Sequence, residues 1–298
     1  MRVAVGVDAG GTSTAAVASR DGDRGAVAKG TAGNASSRGI DAAVAAIASA
    51  IDVALDGAKP DAIFAGGAGA GRPATAEPIR AALAARYPGA PIDVGDDARI
   101  ALRAGVPEGD GIVLIAGTGS IAYAEIGGER TRVGGHGFAV DDAGSGFAIG
   151  AAGARLLARA YDGRVPQDAT TAAIAAALGV ERAIEIADRV YGGGEAVATL
   201  AALAPVVIRS ADAGERSATK IVQGAALELG DLLRAVVKKS GATGEVPIVF
   251  AGGLFAANSL LSYLLETRLL AELPTMPIVK NAPEPVFGAL TLAEEMLA

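Results

Sequence analysis

The sequence predicts an α/β protein of two domains, and three observations lead to that prediction. The 298 residues suffice for two domains of ordinary size. Short apolar runs of strand character alternate with longer segments in which apolar residues recur at helical spacing. A strand, a glycine turn and a returning strand open the chain at 3–18, and the same plan returns at 111–126. We therefore place an N-terminal domain at 1–107 and a C-terminal domain at 108–284, with a final helix, 285–298, packing back on the first.

The first part of the chain has the pattern of a mixed sheet with an antiparallel start. Apolar runs predict two strands joined by the glycine turn, then a polar turn at 21–25 and a third strand at 26–30. Helical spacing of apolar residues predicts helices over 40–55 and 74–86, each followed by a short strand. The second of these strands ends in Gly95-Asp96-Asp97.

The second part repeats this organisation with more helix. A strand at 111–116 enters a second glycine turn, and β-branched residues predict a returning strand directly after it. A glycine-rich segment then precedes a long helical region and a last clear strand that ends in Gly252-Gly253. The remaining predicted elements are a strand at 130–133, helices at 217–239, 259–272 and 286–296, and a strand at 277–279.

Composition and charge exclude several classes of function. The net charge of −7 argues against nucleic acid as a partner, because phosphate binding along a strand favours a basic face. The chain has no cysteine, which removes disulfides, iron–sulfur clusters, thiolate zinc sites and thiol nucleophiles. The alanine-rich runs are too short or too polar to span a bilayer, and no signal-peptide pattern is visible. We expect a cytoplasmic protein that binds a small molecule and no membrane.

The two glycine turns predict a site for a polyphosphate. Glycines let backbone N–H groups converge on an anion, and hydroxyl side chains add donors. Asp8, at the end of the first strand, can hold a hydrated Mg²⁺ ion that faces the same anion. A plain hairpin would explain either turn alone, whereas the pair predicts a cleft with an anion-binding turn on each wall. The predicted phosphate-binding residues are Gly10, Gly11, Thr12, Ser13, Gly117, Thr118, Gly119 and Ser120.

Two other nucleotide motifs do not fit these turns. A Walker loop requires G-x-x-x-x-G-K-[ST], and the sequence contains no such string. The residues Gly117-x-Gly119-x-x-Ala122 match the dinucleotide fingerprint formally. That fingerprint opens a helix, however, and the β-branched run that follows here predicts a strand.

The motifs resemble those of a known superfamily. Asp8–Thr12, Ala116–Ser120 and Ala251–Gly253 are similar to the two phosphate motifs and the adenosine motif of the sugar kinase, actin and heat-shock-protein ATPases. The segments 134–146 and 285–289 resemble those of its N-acetylglucosamine kinase branch. The resemblance implies two ribonuclease-H-like α/β domains of the actin-like ATPase fold, an interdomain cleft, and ATP and Mg²⁺ as cofactors. The acyl-CoA dehydratase and reductase activases of the same branch carry a cysteine-bound iron–sulfur cluster, which a chain without cysteine cannot form.

The resemblance also implies roles for individual residues. Asp97 matches the acid that accepts a proton from the sugar hydroxyl, although an Asp before a helix is also a common N-cap and Asp96 is a competing candidate. Asn34 matches a sugar-binding asparagine, while in any loop Asn is a frequent turn former. Gly252 and Gly253 would let the backbone approach adenine and ribose, or merely end a buried strand.

The remaining sugar contacts are expected in the glycine-rich segment. Gly135, His136 and Asp142 match family positions that face the sugar. His136 replaces the usual tryptophan of the family, Asp141 replaces a glycine, and Ala143 replaces a glutamate. Because an aromatic ring can stack on a sugar ring, the replacement at position 136 predicts an altered sugar preference.

These inferences together predict a kinase for amino sugars. The expected reaction is transfer of the γ-phosphate of ATP to the 6-hydroxyl of N-acetylglucosamine or glucosamine, by a homodimer. Two alternatives stay open: a kinase for a muramic-acid-type sugar, and a non-catalytic sensor that binds ATP or sugar with the same fold.

Overall fold

Two mixed sheets organise the part of the chain that the computed structural model describes, residues 1–255 and 258–298. Each sheet belongs to one of two compact units. Unit 1 comprises residues 1–111 and 282–298, and unit 2 comprises residues 112–281. The final segment of the chain therefore belongs to the first unit.

Unit 1 has strand order β3-β2-β1-β5-β6, with β4 paired to β2. Strand β1 is antiparallel to β2 and parallel to β5, which is parallel to β6. Numbered in chain order, its elements are β1 (Val3–Ala9), β2 (Thr14–Arg20), β3 (Asp23–Arg24), β4 (Ala28–Gly30), α1 (Ala35–Arg38), α2 (Ile40–Leu55), β5 (Ala62–Gly67), α3 (Pro73–Arg86), β6 (Ile92–Asp96), α4 (Asp97–Gly105) and α12 (Pro285–Glu295).

Unit 2 has strand order β11-β10-β7-β8-β9, in which β10 is parallel to both β7 and β11. Strands β8 and β9 are antiparallel. Its elements are β7 (Gly111–Ala116), β8 (Ser120–Ile126), β9 (Glu129–Gly134), α5 (Gly146–Tyr161), α6 (Ala169–Leu178), α7 (Ala183–Tyr191), α8 (Ala196–Ala201), α9 (Ala204–Asp212), α10 (Arg216–Ser240), β10 (Ile248–Ala251), a 3₁₀ helix (Gly253–Phe255), α11 (Leu260–Glu272) and β11 (Ile278–Val279).

The alternation of side chains along β1 explains why its sheet carries helices on both faces. Val3, Val5 and Val7 pack into one buried cluster with the apolar faces of α2 and α3. Ala4 belongs to a second cluster, to which α4 and α12 contribute. Successive strand residues point to opposite faces, so a strand of small apolar residues can be buried on both sides.

Two glycines allow α12 to lie directly on β1 and α4. A Cβ atom at Gly6 of β1 would overlap the backbone nitrogen of Leu290. A Cβ atom at Gly288 would overlap the carbonyl oxygen of Ile100 and the amide nitrogen of Ala104 in α4. The main chains are therefore in contact, and α12 fixes the two elements that lead to Asp8 and Asp97.

The helices of the described part of the chain include no single segment that is long and apolar enough to cross a membrane. Among the described residues, the segments 196–212 and 216–240 are long and apolar enough only when taken together, and the chain bends by 115° between them.

We predict that Gly288→Ala lowers the free energy of unfolding by at least about 2 kcal/mol, because the added methyl group forces two backbones apart. The matched control is Gly224→Ala in α10, where no atom of residues 1–255 or 258–298 outside this helix is within 4 Å of the added methyl group. That helical substitution should be neutral or stabilise by up to about 1 kcal/mol. Urea unfolding of both variants measures the difference, and equal stability of the two would contradict the packing described for α12.

Candidate functional site

The carboxyl ends of three parallel strands bring the predicted acids of unit 1 to one edge of its sheet. Ala9 of β1 pairs with Gly67 of β5, which in turn pairs with Asp96 of β6. Asp8 precedes this row by one residue, and Asp97 follows it as the first residue of α4. Ligands of open α/β sheets bind at this edge, so the strand register places both predicted acids where a site is expected.

The first glycine turn connects β1 to β2 and exposes its amide groups. The amide of Gly10 donates to the carbonyl oxygen of Ser13 at 3.0 Å, and the amide of Gly33 donates to the carbonyl oxygen of Gly10 at 3.2 Å. Within the described residues, the amides of Gly11, Thr12 and Ser13 donate no hydrogen bond, and all three residues are exposed. The turn thus presents backbone and hydroxyl donors to an incoming anion.

Asp8 lies in an environment that opposes its negative charge. Burial, followed by the charges of Asp97 and Glu284, raises its pKa from 3.8 to about 6. No described residue gives the Asp8 carboxylate a hydrogen bond or an ion pair. The described residues also contain no cluster of three or more metal-ligating side chains. Asp8 is therefore a partly buried acid whose charge the described residues leave uncompensated.

The structure distinguishes the two neighbouring acids Asp96 and Asp97. Asp96 accepts a hydrogen bond from the amide of Gly71 at 3.1 Å, and a Cβ atom at Gly71 would overlap its carboxylate, so Asp96 holds the loop after β5. Asp96 is also the residue that precedes α4, whereas Asp97 is half-buried in the first helical turn. The Oδ1 atom of Asp97 accepts a hydrogen bond from the amide of Ala98 at 2.9 Å. The helix N-terminus favours its negative charge.

Asn34 lies near the same edge. It is half-buried in the loop before α1 and lines a small cavity together with Ala9 and Gly67. The predicted sugar-binding asparagine is therefore a neighbour of the strand ends that lead to Asp8 and Asp97. Asp8, the first turn, Asn34 and Asp97 all belong to unit 1.

The second glycine turn, in unit 2, is anchored by the start of α5. The carbonyl oxygens of Gly117 and Thr118 accept from the amides of Gly146 at 2.7 Å and Phe147 at 3.1 Å. The amide of Gly117 donates to Gly119 at 2.9 Å, which closes the turn. The first amides of α5 are thus used by the turn itself. As predicted from the sequence, both glycine turns stand between two strands.

Asp142 stabilises this second turn through a hydrogen bond to its backbone. It is buried in a left-handed conformation with φ of 65°, and its carboxylate accepts from the amides of Ser120 and Gly137. A Cβ atom at Gly119 would lie 2.9 Å from its Oδ2 atom. Burial raises the pKa of Asp142, although both amides oppose that effect. Sequence analysis indicated a sugar contact here and did not reveal these protein partners.

Gly135 and His136 lie in the loop that connects β9 to α5. Gly135 has φ of +67°, and the guanidinium of Arg132 donates to its carbonyl oxygen at 2.7 Å. The side chain of His136 is exposed. Arg132, which the sequence analysis did not identify, therefore helps to fix the backbone that presents His136.

The glycines that follow β10 differ in their surroundings. Gly252 has φ of +98°, and a Cβ atom there would overlap the backbone of Ala116 at the end of β7. Among the described residues, nothing lies within 4 Å of a Cβ position at Gly253, Gly11 or Gly117. Packing within the protein therefore explains Gly252, while the other three leave room for a molecule that approaches the main chain.

The sequence analysis missed Glu284, which immediately precedes α12 and acts electrostatically on Asp8. The only local signal was the predicted start of the final helix. Its relation to Asp8 depends on the packing of α12 against β1, which no sequence spacing reveals.

Comparison with known families adds a match that covers most of the chain. Residues 5–293 match the model of the BadF/BadG/BcrA/BcrD ATPase family. The chain is 30% identical over 206 residues to N-acetyl-D-glucosamine kinase of Dictyostelium discoideum, which covers 67% of this chain and 64% of that protein. It is 29% identical over 204 residues to N-acetylmuramic acid/N-acetylglucosamine kinase of Clostridium acetobutylicum, covering 68% and 67%. The chain thus spans about two thirds of the length of these relatives.

Solved structures match over nearly the full length. A Chromobacterium violaceum protein, proposed to be an N-acetylglucosamine kinase, superposes with a TM-score of 0.79 at 26% identity, covering 98% of this chain and 99% of that one. A ROK family glucokinase from Streptomyces griseus, solved with glucose and AMPPNP, has a TM-score of 0.62 at 20% identity, with 98% of each chain covered. The predicted α/β class with the actin-like ATPase fold is confirmed.

We predict that Asp8→Asn stabilises the protein at pH 7.5 when Mg²⁺ and nucleotide are absent. The pKa of Asp8 is higher in the folded chain, about 6, than its ordinary value of 3.8. The charged carboxylate therefore destabilises the fold above pH 6, and this penalty disappears as the pH falls toward 4. After solvent screening, we expect a gain on the order of 1–2 kcal/mol at pH 7.5.

Thermal unfolding of wild type and variant between pH 4 and pH 8 checks this expectation. Asp23→Asn, which removes an exposed acid in β3, is the control and should have a small effect throughout. An Asp8→Asn variant less stable than wild type at pH 7.5 would contradict the conclusion that the charged Asp8 carboxylate destabilises the fold.

Proposed function

Because the chain belongs to the BadF/BadG/BcrA/BcrD ATPase family, we propose that it is an ATP-dependent sugar kinase. It transfers the γ-phosphate of ATP to the 6-hydroxyl of an amino sugar, N-acetylglucosamine or glucosamine. The observation that carries the proposal is the convergence of Asp8, the exposed amides of 11–13 and Asp97 at the carboxyl edge of one sheet. The names of the relatives support the choice of substrate class.

In this proposal the two glycine turns bind the phosphates of ATP. The amides of Gly11, Thr12 and Ser13, with the two hydroxyls of that turn, donate to phosphate oxygens. The second turn contributes Thr118 in the same way. Ser120 holds that turn in place, because its single hydroxyl hydrogen is donated to the carbonyl oxygen of Ala143 at 2.7 Å and its amide donates to Asp142. Preorganised donors of this kind stabilise the charge that builds up during transfer.

Asp8 is the proposed contact for Mg²⁺, through water. When bound, the ion neutralises charge on the phosphate oxygens. Asp8 itself supplies a carboxylate that has no competing protein partner in the described residues, so its charge is available to orient water around the ion.

Asp97 is the proposed general base. It orients the 6-hydroxyl and accepts its proton while the hydroxyl oxygen forms a bond to the γ-phosphorus. The bond between that phosphorus and the bridging oxygen breaks at the same time, and ADP leaves with the electron pair. Asp97 is the first residue of α4, so the positive end of the helix dipole lies at its position.

The remaining proposed contacts divide between the sugar and the nucleoside. Asn34, Gly135, His136 and Asp142 contact the sugar, and the Asp142 carboxylate keeps acceptor capacity beyond its two amide partners. Gly252 shapes the strand end beside the nucleoside.

We further propose that the catalytic domains comprise residues 1–107 with 285–298, and residues 108–284. The protein acts as a cytoplasmic homodimer on a small-molecule sugar, with no nucleic acid or membrane as partner.

A coupled ADP-release assay over hexoses, hexosamines and N-acylated or lactyl-bearing sugars tests the function. We predict sugar-dependent ADP release, and we predict that Asp97→Asn lowers kcat more than about 100-fold while ATP binding is retained. The matched control is Asp96→Asn, whose side-chain oxygen can still accept from Gly71 and which should stay within about tenfold of wild type.

Near-normal turnover by Asp97→Asn would remove Asp97 as the base. Bound ATP without ADP release in the presence of any sugar would favour a sensor instead of a kinase, and preference for a lactyl-bearing sugar would favour a muramic-acid-type substrate.

We predict that Gly253→Ala weakens ATP binding without weakening the fold. Apart from its chain neighbours, no described residue has an atom within 4 Å of a Cβ at this position, so an added methyl group leaves the described packing undisturbed and narrows the space beside the main chain. KM for ATP should rise about tenfold. Gly193→Ala, in a similarly open position after α7, is the control and should change neither KM nor melting temperature. A normal KM for ATP in Gly253→Ala would remove this residue from the nucleotide site.

A further inference from the structure

We propose that the ring of Phe138 stacks on the sugar substrate and selects cyclic sugars that present an apolar face. The inference rests on the proposed sugar kinase function, in which His136 and Asp142 contact the sugar. It adds an aromatic specificity-determining residue to that site. All the residues that carry it belong to unit 2.

The ring of Phe138 lies on the loop between β9 and α5. Residues 136–140 of this loop are all exposed, and Phe138 is 51% exposed. Its ring packs against the half-buried ring of Phe147, with 5.2 Å between the ring centroids and 58° between the ring planes. One aromatic ring thus supports the other, while about half of the Phe138 surface stays open.

Hydrogen bonds fix the backbone that carries this ring. The amides of Val140 and Asp141 donate to the carbonyl oxygen of Gly137 at 3.0 and 2.8 Å, which closes a turn around Phe138. The amide of Gly137 in turn donates to the carboxylate of Asp142. An exposed ring on a fixed backbone loses little conformational entropy when it binds a ligand, so Phe138 is suited to recognition.

The loop is also tied to the second glycine turn, which is the proposed phosphate site. The Asp142 carboxylate accepts from the amide of Ser120 as well, so one side chain joins the turn to the loop. The amide of Phe147 donates to the carbonyl oxygen of Thr118 at 3.1 Å. The residue that supports Phe138 is therefore directly bonded to the turn. A sugar that accepts a phosphoryl group from this turn is bound beside the Phe138 ring.

The groups of this loop match the two kinds of surface that a pyranose presents. The carboxylate oxygens of Asp142 can accept hydrogen bonds from sugar hydroxyls. The face of an aromatic ring carries partial negative charge, and it attracts the C–H groups that cover the flat face of a pyranose. An open-chain polyol offers the same hydroxyls without a flat C–H face. The pairing of ring and carboxylate therefore favours a cyclic sugar.

Steady-state kinetics provides the first test, with whichever of N-acetylglucosamine and glucosamine is the better substrate. Phe138→Ala should raise KM for the sugar about tenfold and leave kcat within about twofold, because the ring contributes binding and no chemistry. Phe138→Tyr should preserve KM, whereas Phe138→Leu, which keeps an apolar side chain without a ring, should resemble Phe138→Ala. The matched control is Val140→Ala, which removes an 80% exposed aliphatic side chain from the same loop and should leave KM unchanged.

Tryptophan fluorescence provides the second test, because the chain contains no tryptophan. In Phe138→Trp at saturating ADP, N-acetylglucosamine or glucosamine should change the emission in a saturable manner. The open-chain N-acetylglucosaminitol should leave the emission unchanged. The control is Tyr191→Trp at the end of α7, where the replaced ring is 70% exposed and neither compound should have an effect.

The outcomes separate the inference from the function on which it rests. An unchanged KM in Phe138→Ala, or an equal emission response to sugar and open-chain polyol, would overturn the stacking role and leave the kinase intact. Emission of Phe138→Trp that depends on protein concentration before sugar is added would place the ring between protein molecules and overturn it as well. A sugar response without ADP release from wild type would support stacking and overturn the kinase. Absence of both signals would overturn both.

Discussion

Direct backbone contact between α12, β1 and α4 is the constraint on which the geometry of unit 1 depends. Gly6 and Gly288 permit that contact, since a methyl group at either position would overlap main-chain atoms of the neighbouring element. The contact fixes two elements that are distant in sequence, one leading to Asp8 and one beginning with Asp97. Placing two acids at one edge has an electrostatic cost, which is visible in the raised pKa of Asp8. The helix packing holds the carboxylates near each other against their repulsion.

Two groups of glycines in this chain differ in what surrounds them. At Gly6, Gly252 and Gly288 a side chain would collide with the backbone of the protein itself. At Gly11 and Gly117 no atom in the described part of the chain occupies the space that a side chain would fill. The first group is needed to build the fold, and the second leaves open space beside the main chain. The sequence pattern identifies Gly11 and Gly117 as turn residues, but it gives no sign that Gly6 and Gly288 lie against a neighbouring main chain.

Sequence reasoning predicted the elements that local pattern determines. Helix 40–55 coincides with α2, and the strand at 111–116 coincides with β7, because apolar periodicity is strong in both. The polar segment 21–25 was predicted as a turn, and it also contains the two-residue strand β3. That strand exists because Ser19 and Arg20 pair with it, which its own residues do not indicate.

Sequence motifs located the candidate site, but they did not decide the role of each residue in it. The glycine turns and the position of Asp97 follow from short segments of sequence. By contrast, the distinction between Asp96 and Asp97 depends on Gly71, and the influence of Glu284 on Asp8 depends on α12. The cavity near Asn34 is lined by residues from six elements and has no linear signature. Contacts between distant segments are decided by packing, so no single stretch of sequence reveals them.

The discontinuity of unit 1 also bears on how the chain folds as the ribosome makes it. Domains usually fold in the order of their synthesis. Here the helix that covers one face of the first sheet is encoded after residues 112–281, all of which belong to unit 2. Unit 2 is continuous and can complete its core while Ala4, Phe64 and Ile100 still lack their partner helix. The first unit to emerge is thus completed only after all residues of unit 2 have been synthesised.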